Sequence, residues 1–211
     1  AFKISCMQIE KIKRTNTTYF SKTANDLVYN QDGLSKYIEE PYSLEEFKHQ
    51  IDKKTSNFPS NSRKVLVNQL EEQHKDFSDL ENVQANIQSL SQENTFTVAT
   101  GHQLNLFGGP LYVSYKIVHT IKLAERLKET YPDYNFVPVF WMASEDHDFE
   151  EINHIHLFND KISWDTDKKG AVGRFELDDI NDFKGQLLEK FGNNESFSEY
   201  LNQFYTEKDK D

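Results

Sequence analysis

The spacing of apolar residues changes near residue 95. Before it the chain is polar, rich in Asn, Gln, Lys and Glu, and Gly33 is its one glycine. Helix signals recur there. Ser43-Leu44-Glu45-Glu46 has the form of a capping box, in which a serine oxygen and a glutamate three residues on satisfy each other's free amides. Val65, Leu66, Leu70 and Phe77 form an intermittent stripe, predicting a helix that ends near Phe77. Asn82–Leu90 predicts another short helix. Residues 1–94 are therefore expected to form a helical region covering one side of a sheet.

From Thr95 the pattern becomes α/β. TFTVAT is β-branched and aromatic, as in a buried strand. Pro110 suits the first turn of a helix, where no amide donor is needed, and Ile117, Val118, Ile121, Ala124 and Leu127 continue at helical spacing to about Thr130. Phe136–Ala143, FVPVFWMA, is too short for a membrane helix and too continuous for a half-exposed strand. Strand, long helix and strand form a βαβ unit, which requires parallel strands and a right-handed crossover. Ile152–Phe158, Lys161–Trp164 and Val172–Leu177 predict further short strands. Ile180–Tyr205 predicts helices broken at Gly192-Asn193-Asn194. A parallel sheet normally needs more strands than follow here, so residues 95–211 are expected to be the first part of a larger core and the chain a fragment.

Composition narrows the function. The net charge of −11 disfavours nucleic-acid and anionic-membrane partners. Hydrophobic content of 36%, with 16 Phe and 10 Tyr, is that of a globular chain. One cysteine, Cys6, excludes an internal disulfide and suits a reducing compartment. With no long apolar run, the expected location is cytoplasmic.

In open parallel sheets, ligands sit beyond the carboxyl ends of strands, and two motifs fall there. The first is the loop Gly101–Pro110. Gly101 can adopt angles closed to other residues, and Gly108-Gly109 let main chain approach a ligand. The helix that follows presents free amides and a positive dipole end. His102, Gln103 and Asn105 are candidate donors to a phosphate or carboxylate. Lys116, on the second helical turn, can reach back to the same place, and Tyr112 is a core or pocket-wall candidate. The loop matches neither the P-loop nor the G-x-G-x-x-G pattern, and a solvated glycine turn competes equally.

The second motif is ASEDHDFEEINHIH, Ala143–His156. Five carboxylates occupy the seven residues Glu145–Glu151 with no Lys or Arg among them, which is costly unless something cationic arrives. Ser144 can cap a helical turn, accounting for Glu145, Asp146 and Asp148 by the helix dipole. Glu150 and Glu151 are assigned to that structural role. A cationic amine or nucleotide-borne Mg²⁺ would suit Asp146 and Asp148. His147, Asp148, His154 and His156 are the alternative, a metal-dependent hydrolase or transferase centre, although no H-E-x-x-H or Cys/His set accompanies them. A non-catalytic acidic binding module is a third reading. His49, His74 and His119 sit on presumed helices without polar company.

TGHQLNLFGGPLYVSYKI, PVFWMASEDHDFEEINHI and the earlier TTYFSK resemble the BshC family, the cysteine-adding enzymes of bacillithiol biosynthesis. The similarity is dense from Thr95 to His156 and looser upstream. It implies a Rossmann-like, nucleotidyltransferase-like core with inserted segments, of which this chain is the amino-terminal portion. It also implies a carboxyl-terminal coiled coil, absent here, used for homodimerisation. The implied reaction, ligation of L-cysteine to the amine of glucosaminyl-malate, makes both compounds substrates and this fragment inactive alone. An amide does not form from a free carboxylate without activation, and ATP with Mg²⁺ is the expected means. On this reading Gly101, His102, Gln103, Asn105, Gly108, Gly109, Tyr112, Lys116, Ser144, Glu145 and Asp146 bind substrate, while His147 and Asp148 are catalytic. The position after Gly101 is often glutamine in the family, so His102 is read as a donor and not as a proton shuttle. No dedicated transition metal is expected.

Overall fold

The computed structural model describes residues 10–29, 31–34, 36–38, 43–77, 80–192 and 194–205. Cys6, on which the expectation of a reducing compartment rests, lies outside them. The chain divides into two units, residues 1–57 and 58–211. The first contains α1 (Lys22–Tyr29) and α2 (Phe47–Asn57). Ahead of α2, the Glu46 amide donates to Ser43 Oγ at 3.4 Å, which is one half of the expected capping box.

The second unit opens with α3 (Ser60–Gln73), a short 3-10 turn at Lys75–Phe77 and α4 (Glu81–Ser89). The stripe expected on α3 is shifted. Val65 faces solvent, while Val67 and Arg63 are buried, with Leu66 and Leu70 packed beside Ile87, Leu90 and Val137. Arg63, only 6% exposed, explains the shift. Its guanidinium donates to Leu90 O at 3.0 Å, Thr95 O at 2.9 Å and Glu93 O at 3.3 Å. A cation at the carboxyl end of α4 satisfies carbonyls that the helix leaves open.

β1 (Thr95–His102), α5 (Leu111–Thr130) and β2 (Asn135–Met142) form the expected βαβ unit. The strands are parallel and in register from Thr95↔Asn135 to His102↔Met142. α5 packs along both strands, burying Val113, Thr120, Ala124 and Leu127. Val118 and Ile121, expected in its core stripe, are exposed. So are Phe140, Trp141 and Met142, which corrects the expectation of a β2 buried on both faces. Among the described residues this sheet has two strands, so the carboxyl half of β2 lacks the neighbours its sequence is suited to.

A second core follows. After α6 (Phe149–Ile152), β3 (His154–Leu157) and β4 (Asp160–Ser163) pair as an antiparallel hairpin. α7 (Asn181–Lys190) and α8 (Glu195–Phe204) complete it. Ile162, Trp164, Ile180, Phe183, Leu187 and Leu201 are buried together with Leu106 from the loop after β1. The strand expected at Val172–Leu177 is instead a 3-10 turn at Val172–Arg174. Its amides serve another purpose: Val172 N donates to Asp146 O at 2.8 Å and Gly173 N to Ser144 O at 2.9 Å. Asp179 clasps the preceding segment by accepting from Trp164 Nε1 at 2.9 Å and Thr166 Oγ1 at 2.5 Å, with Lys168 Nζ at 2.8 Å.

Candidate functional site

β1 and β2 end side by side. The Ala143 amide donates to His102 O at 3.0 Å, carrying the ladder one residue past the strands, after which the chains part. The loop after His102 and the acidic segment after Ala143 therefore leave the same rim. Between them opens a cleft of about 500 Å³, walled by Gln103 and by the run Asp146–Glu151.

The glycines have steric roles. A Cβ on Gly101 would lie 2.8 Å from Trp141 O on the paired strand, so close strand approach requires glycine there, and Gly101 is not among the positive-φ residues. Gly108 and Gly109 do take positive φ, 81° and 73°. A Cβ on Gly109 would strike the Asn105 side chain at 2.6 Å. Phe107 shares the left-handed region at φ 52°. Its amide donates to Tyr205 Oη at 2.5 Å, fastening the loop to the end of α8.

The side chains of His102, Gln103 and Asn105, expected as donors to an anion, are engaged within the protein. They hold one another. Asn105 Nδ2 donates to Gln103 O at 2.9 Å and to His102 Nδ1 at 2.8 Å. Exchanging the Asn105 amide atoms would set two oxygens against each other, so Nδ1 is the acceptor and the His102 proton resides on Nε2. That Nε2–H donates to Tyr112 Oη at 2.5 Å, and the Tyr112 hydroxyl donates to Glu151 Oε1 at 3.4 Å. Gln103 Nε2 donates to Glu151 Oε2 at 2.5 Å. Desolvation, reinforced by the adjacent Glu151 carboxylate, raises the Tyr112 pKa above the ordinary phenol value and keeps it a donor. Lys116 does reach back: its Nζ donates to Gly101 O at 2.5 Å.

Across the cleft, Ser144 caps nothing. Its carbonyl accepts from Gly173, while α6 begins five residues later, at Phe149, behind Asp148, which makes no side-chain cap bond. Glu145 Oε1 accepts from Trp141 Nε1 at 3.3 Å. Asp146 Oδ1 accepts from the His147 amide at 2.7 Å, and the His147 ring stands in solvent. Asp148 and Glu150 face the cleft beside Glu151.

The proposed metal set does not assemble. Among the described residues, no three His, Cys, Asp or Glu side chains form a metal-holding group. His154 and His156 share a strand face, as expected, with rings edge to face at 5.3 Å. His154 Nδ1 lies 2.9 Å from Asn153 Oδ1. Desolvation, then Lys161 and His156, lowers the His154 pKa.

Glu151 is the residue that sequence reasoning missed. It lies in the first turn of α6, as its dipole assignment requires. Yet it is also where Gln103, Tyr112 and His102 converge. No sequence signal connects positions 48 residues apart that meet only when two strand ends are paired.

A parallel strand–helix–strand unit whose two strand ends open on one cleft defines a Rossmann-like α/β domain. Residues 7–210 match the family described as "Bacillithiol biosynthesis BshC, N-terminal Rossmann-like domain". The chain belongs to the BshC family. A relative from Flavobacterium psychrophilum, named "Putative cysteine ligase BshC", is 45% identical over 202 residues, covering 95% of this chain and 38% of that protein. Relatives of the same name from Flavobacterium johnsoniae and Christiangramia forsetii are 44% and 41% identical, with 84% and 90% of this chain covered. The chain spans little more than a third of the length of these curated relatives. Among the described residues no helix is long and apolar enough to cross a membrane.

Proposed function

We propose that this domain forms the amino-terminal part of a ligase that joins the carboxyl group of L-cysteine to the amine of glucosaminyl-malate, the last step of bacillithiol biosynthesis. The observation that carries this reading is the shared cleft at the ends of β1 and β2, in a chain whose relatives are named cysteine ligases. Amide formation requires an amine held near an activated carboxyl, and paired loops at one rim can hold two partners together. Asp146 and Asp148 suit the amine. His147, exposed beside Asp146, is placed to accept the proton that the amine loses as its nitrogen bonds to the activated carboxyl carbon and the activating group departs with the carboxyl oxygen.

ATP with Mg²⁺, when bound, would supply the activation of the carboxylate. Lys116 and the first amides of α5 are the groups suited to its phosphates, since four carboxylates wall the cleft itself. Homodimerisation through a coiled coil is part of the same proposal and falls outside these 211 residues.

The test is reconstitution. Intact protein incubated with L-cysteine and glucosaminyl-malate, with and without ATP and Mg²⁺, is expected to yield bacillithiol by mass spectrometry, and the 211-residue chain alone is expected to yield none. Absence of product from intact protein under all conditions would refute the ligase assignment. An intact His147→Ala variant retaining activity within a few-fold of wild type would remove the role given to His147.

A further inference from the structure

Each wall of the cleft is fastened a second time, from the core that β3, β4, α7 and α8 build. The wall after β2 is held by main chain alone. Val172 N donates to Asp146 O at 2.8 Å and Gly173 N to Ser144 O at 2.9 Å. Val172 is buried, and Phe175, which ends the same turn, packs against the second core. Gly173 serves the contact by lacking a side chain. A Cβ there would lie 2.4 Å from Ser144 Cβ and 2.8 Å from Ser144 O, and Gly173 is not among the positive-φ glycines. Close approach, not backbone freedom, is what glycine provides at this position. A larger residue must push away the loop that carries Asp146, His147 and Asp148.

The wall after β1 is held by side chains. Leu106 is buried in the second core, and the Phe107 amide donates to Tyr205 Oη at 2.5 Å. Phe107 sits at φ 52°, where a bulky residue is strained and stays only if its surroundings impose it. Tyr205 is equipped to impose it. Lys184 Nζ donates to its carbonyl at 3.0 Å, and its amide donates to Leu201 O at 2.8 Å. Its ring meets that of the buried Phe183 at 6.2 Å. The loop held in this way carries Gln103 and Asn105.

We propose that Gly173 and Tyr205 are positioning residues of the cleft: through them the second core sets the separation between the loop of residues 103–110 and the loop of residues 144–148. They act on the loops and not on a ligand. The proposal goes beyond the ligase reading and rests on it only for what the loops hold. Joining two molecules demands that the reacting atoms be kept near contact distance, and a misplacement of about 1 Å costs about a hundredfold in rate. A core that grips both loops supplies that constancy, which the parting strand ends do not.

The test uses intact protein labelled with 5-fluorotryptophan. The Trp141 indole donates to Glu145, the neighbour of Ser144, so its fluorine resonance, assigned by its loss in Trp141→Phe, reports the position of the acidic loop. Gly173→Ala is expected to shift that resonance and to lower kcat about a hundredfold, with a smaller change in KM. Gly185→Ala, on α7 with open space around it, is expected to change neither. Tyr205→Phe removes one hydroxyl and is expected to quicken hydrogen exchange at residues 103–109 about tenfold, the loss of one hydrogen bond, while β1 stays protected. Where Gly173→Ala does not fold, the milder Tyr205→Phe decides. An unmoved Trp141 resonance or unmoved exchange overturns the proposal, as does a moved resonance with kcat unchanged. Wild type that yields no product refutes the ligase alone, because resonance and exchange are read without turnover.

Discussion

Gln103 and Glu151, 48 residues apart, meet at 2.5 Å where the loops leaving β1 and β2 face each other. This contact closes a chain that begins at Asn105 and passes through His102 and Tyr112. Its members are local in space and scattered in sequence. Removing its end should be felt at its middle.

Glu151→Ala leaves the buried Gln103 amide wholly unpaired, so a loss of about 1–3 kcal/mol is expected on chemical denaturation. The Tyr112 pKa should fall toward the ordinary phenol value, because the carboxylate that helps raise it is gone. Spectrophotometric titration of the tyrosines in wild type and variant reads this shift. An unchanged Tyr112 titration would show that the contact is not maintained in solution.

The glycines of the loop should differ in their tolerance of alanine. At Gly101 a methyl group meets the Trp141 carbonyl, and at Gly109 it meets Asn105 at a residue of positive φ. Each is expected to cost about 2 kcal/mol or more by combining overpacking with strain. Gly108 has positive φ but open space around it, so Gly108→Ala should cost only about 1 kcal/mol. Equal melting temperatures for the three variants would contradict this ranking.

Arg63→Met should destabilise by about 3 kcal/mol, because it strands the carbonyls of Leu90, Glu93 and Thr95. Hydrogen exchange should quicken first at the start of β1, where the guanidinium ties strand to helix. Exchange unchanged there would mean that solvent or another donor replaces the arginine.

Acid should weaken the fold in two stages. His154 has a lowered pKa, so the unfolded chain takes the proton more readily; stability is full above the ordinary histidine value and falls as pH drops through it. Asp179 is held at about 2: desolvation opposes this, but hydrogen bonds from Lys168, Thr166 and Trp164 outweigh it. Its contribution is present above the ordinary carboxylate value of 3.8 and lost as pH falls toward about 2. Denaturation midpoints measured against pH for wild type, His154→Asn and Asp179→Asn should each lose the corresponding stage.

Much of this architecture could be seen in the chain before the fold. The β-branched run at Thr95, the helix opening at Pro110 and the apolar run at Phe136 carry the periodicities of a parallel unit, and they fold as one. The hydrophobic pattern failed where polar groups decide the outcome. Arg63 takes a core position because three carbonyls need it, which no apolar stripe announces. Val172–Leu177 has strand composition, but its amides bind the acidic loop across a gap of more than twenty residues. The loop polar residues were found, and their direction was not: the Gln103 amide turns toward Glu151, a carboxylate 48 residues away.

The chain has two tryptophans in opposite surroundings. Trp164 is 4% exposed among the rings of Phe149 and Phe175, whereas Trp141 is 61% exposed at the rim, with its indole N–H on Glu145. Their fluorescence should separate accordingly, a blue-shifted emission from the interior and a red-shifted, quencher-accessible one from the edge. Iodide or acrylamide would silence the second and leave the first, giving this polypeptide an intrinsic optical gauge of events at the mouth of the cleft that needs no label.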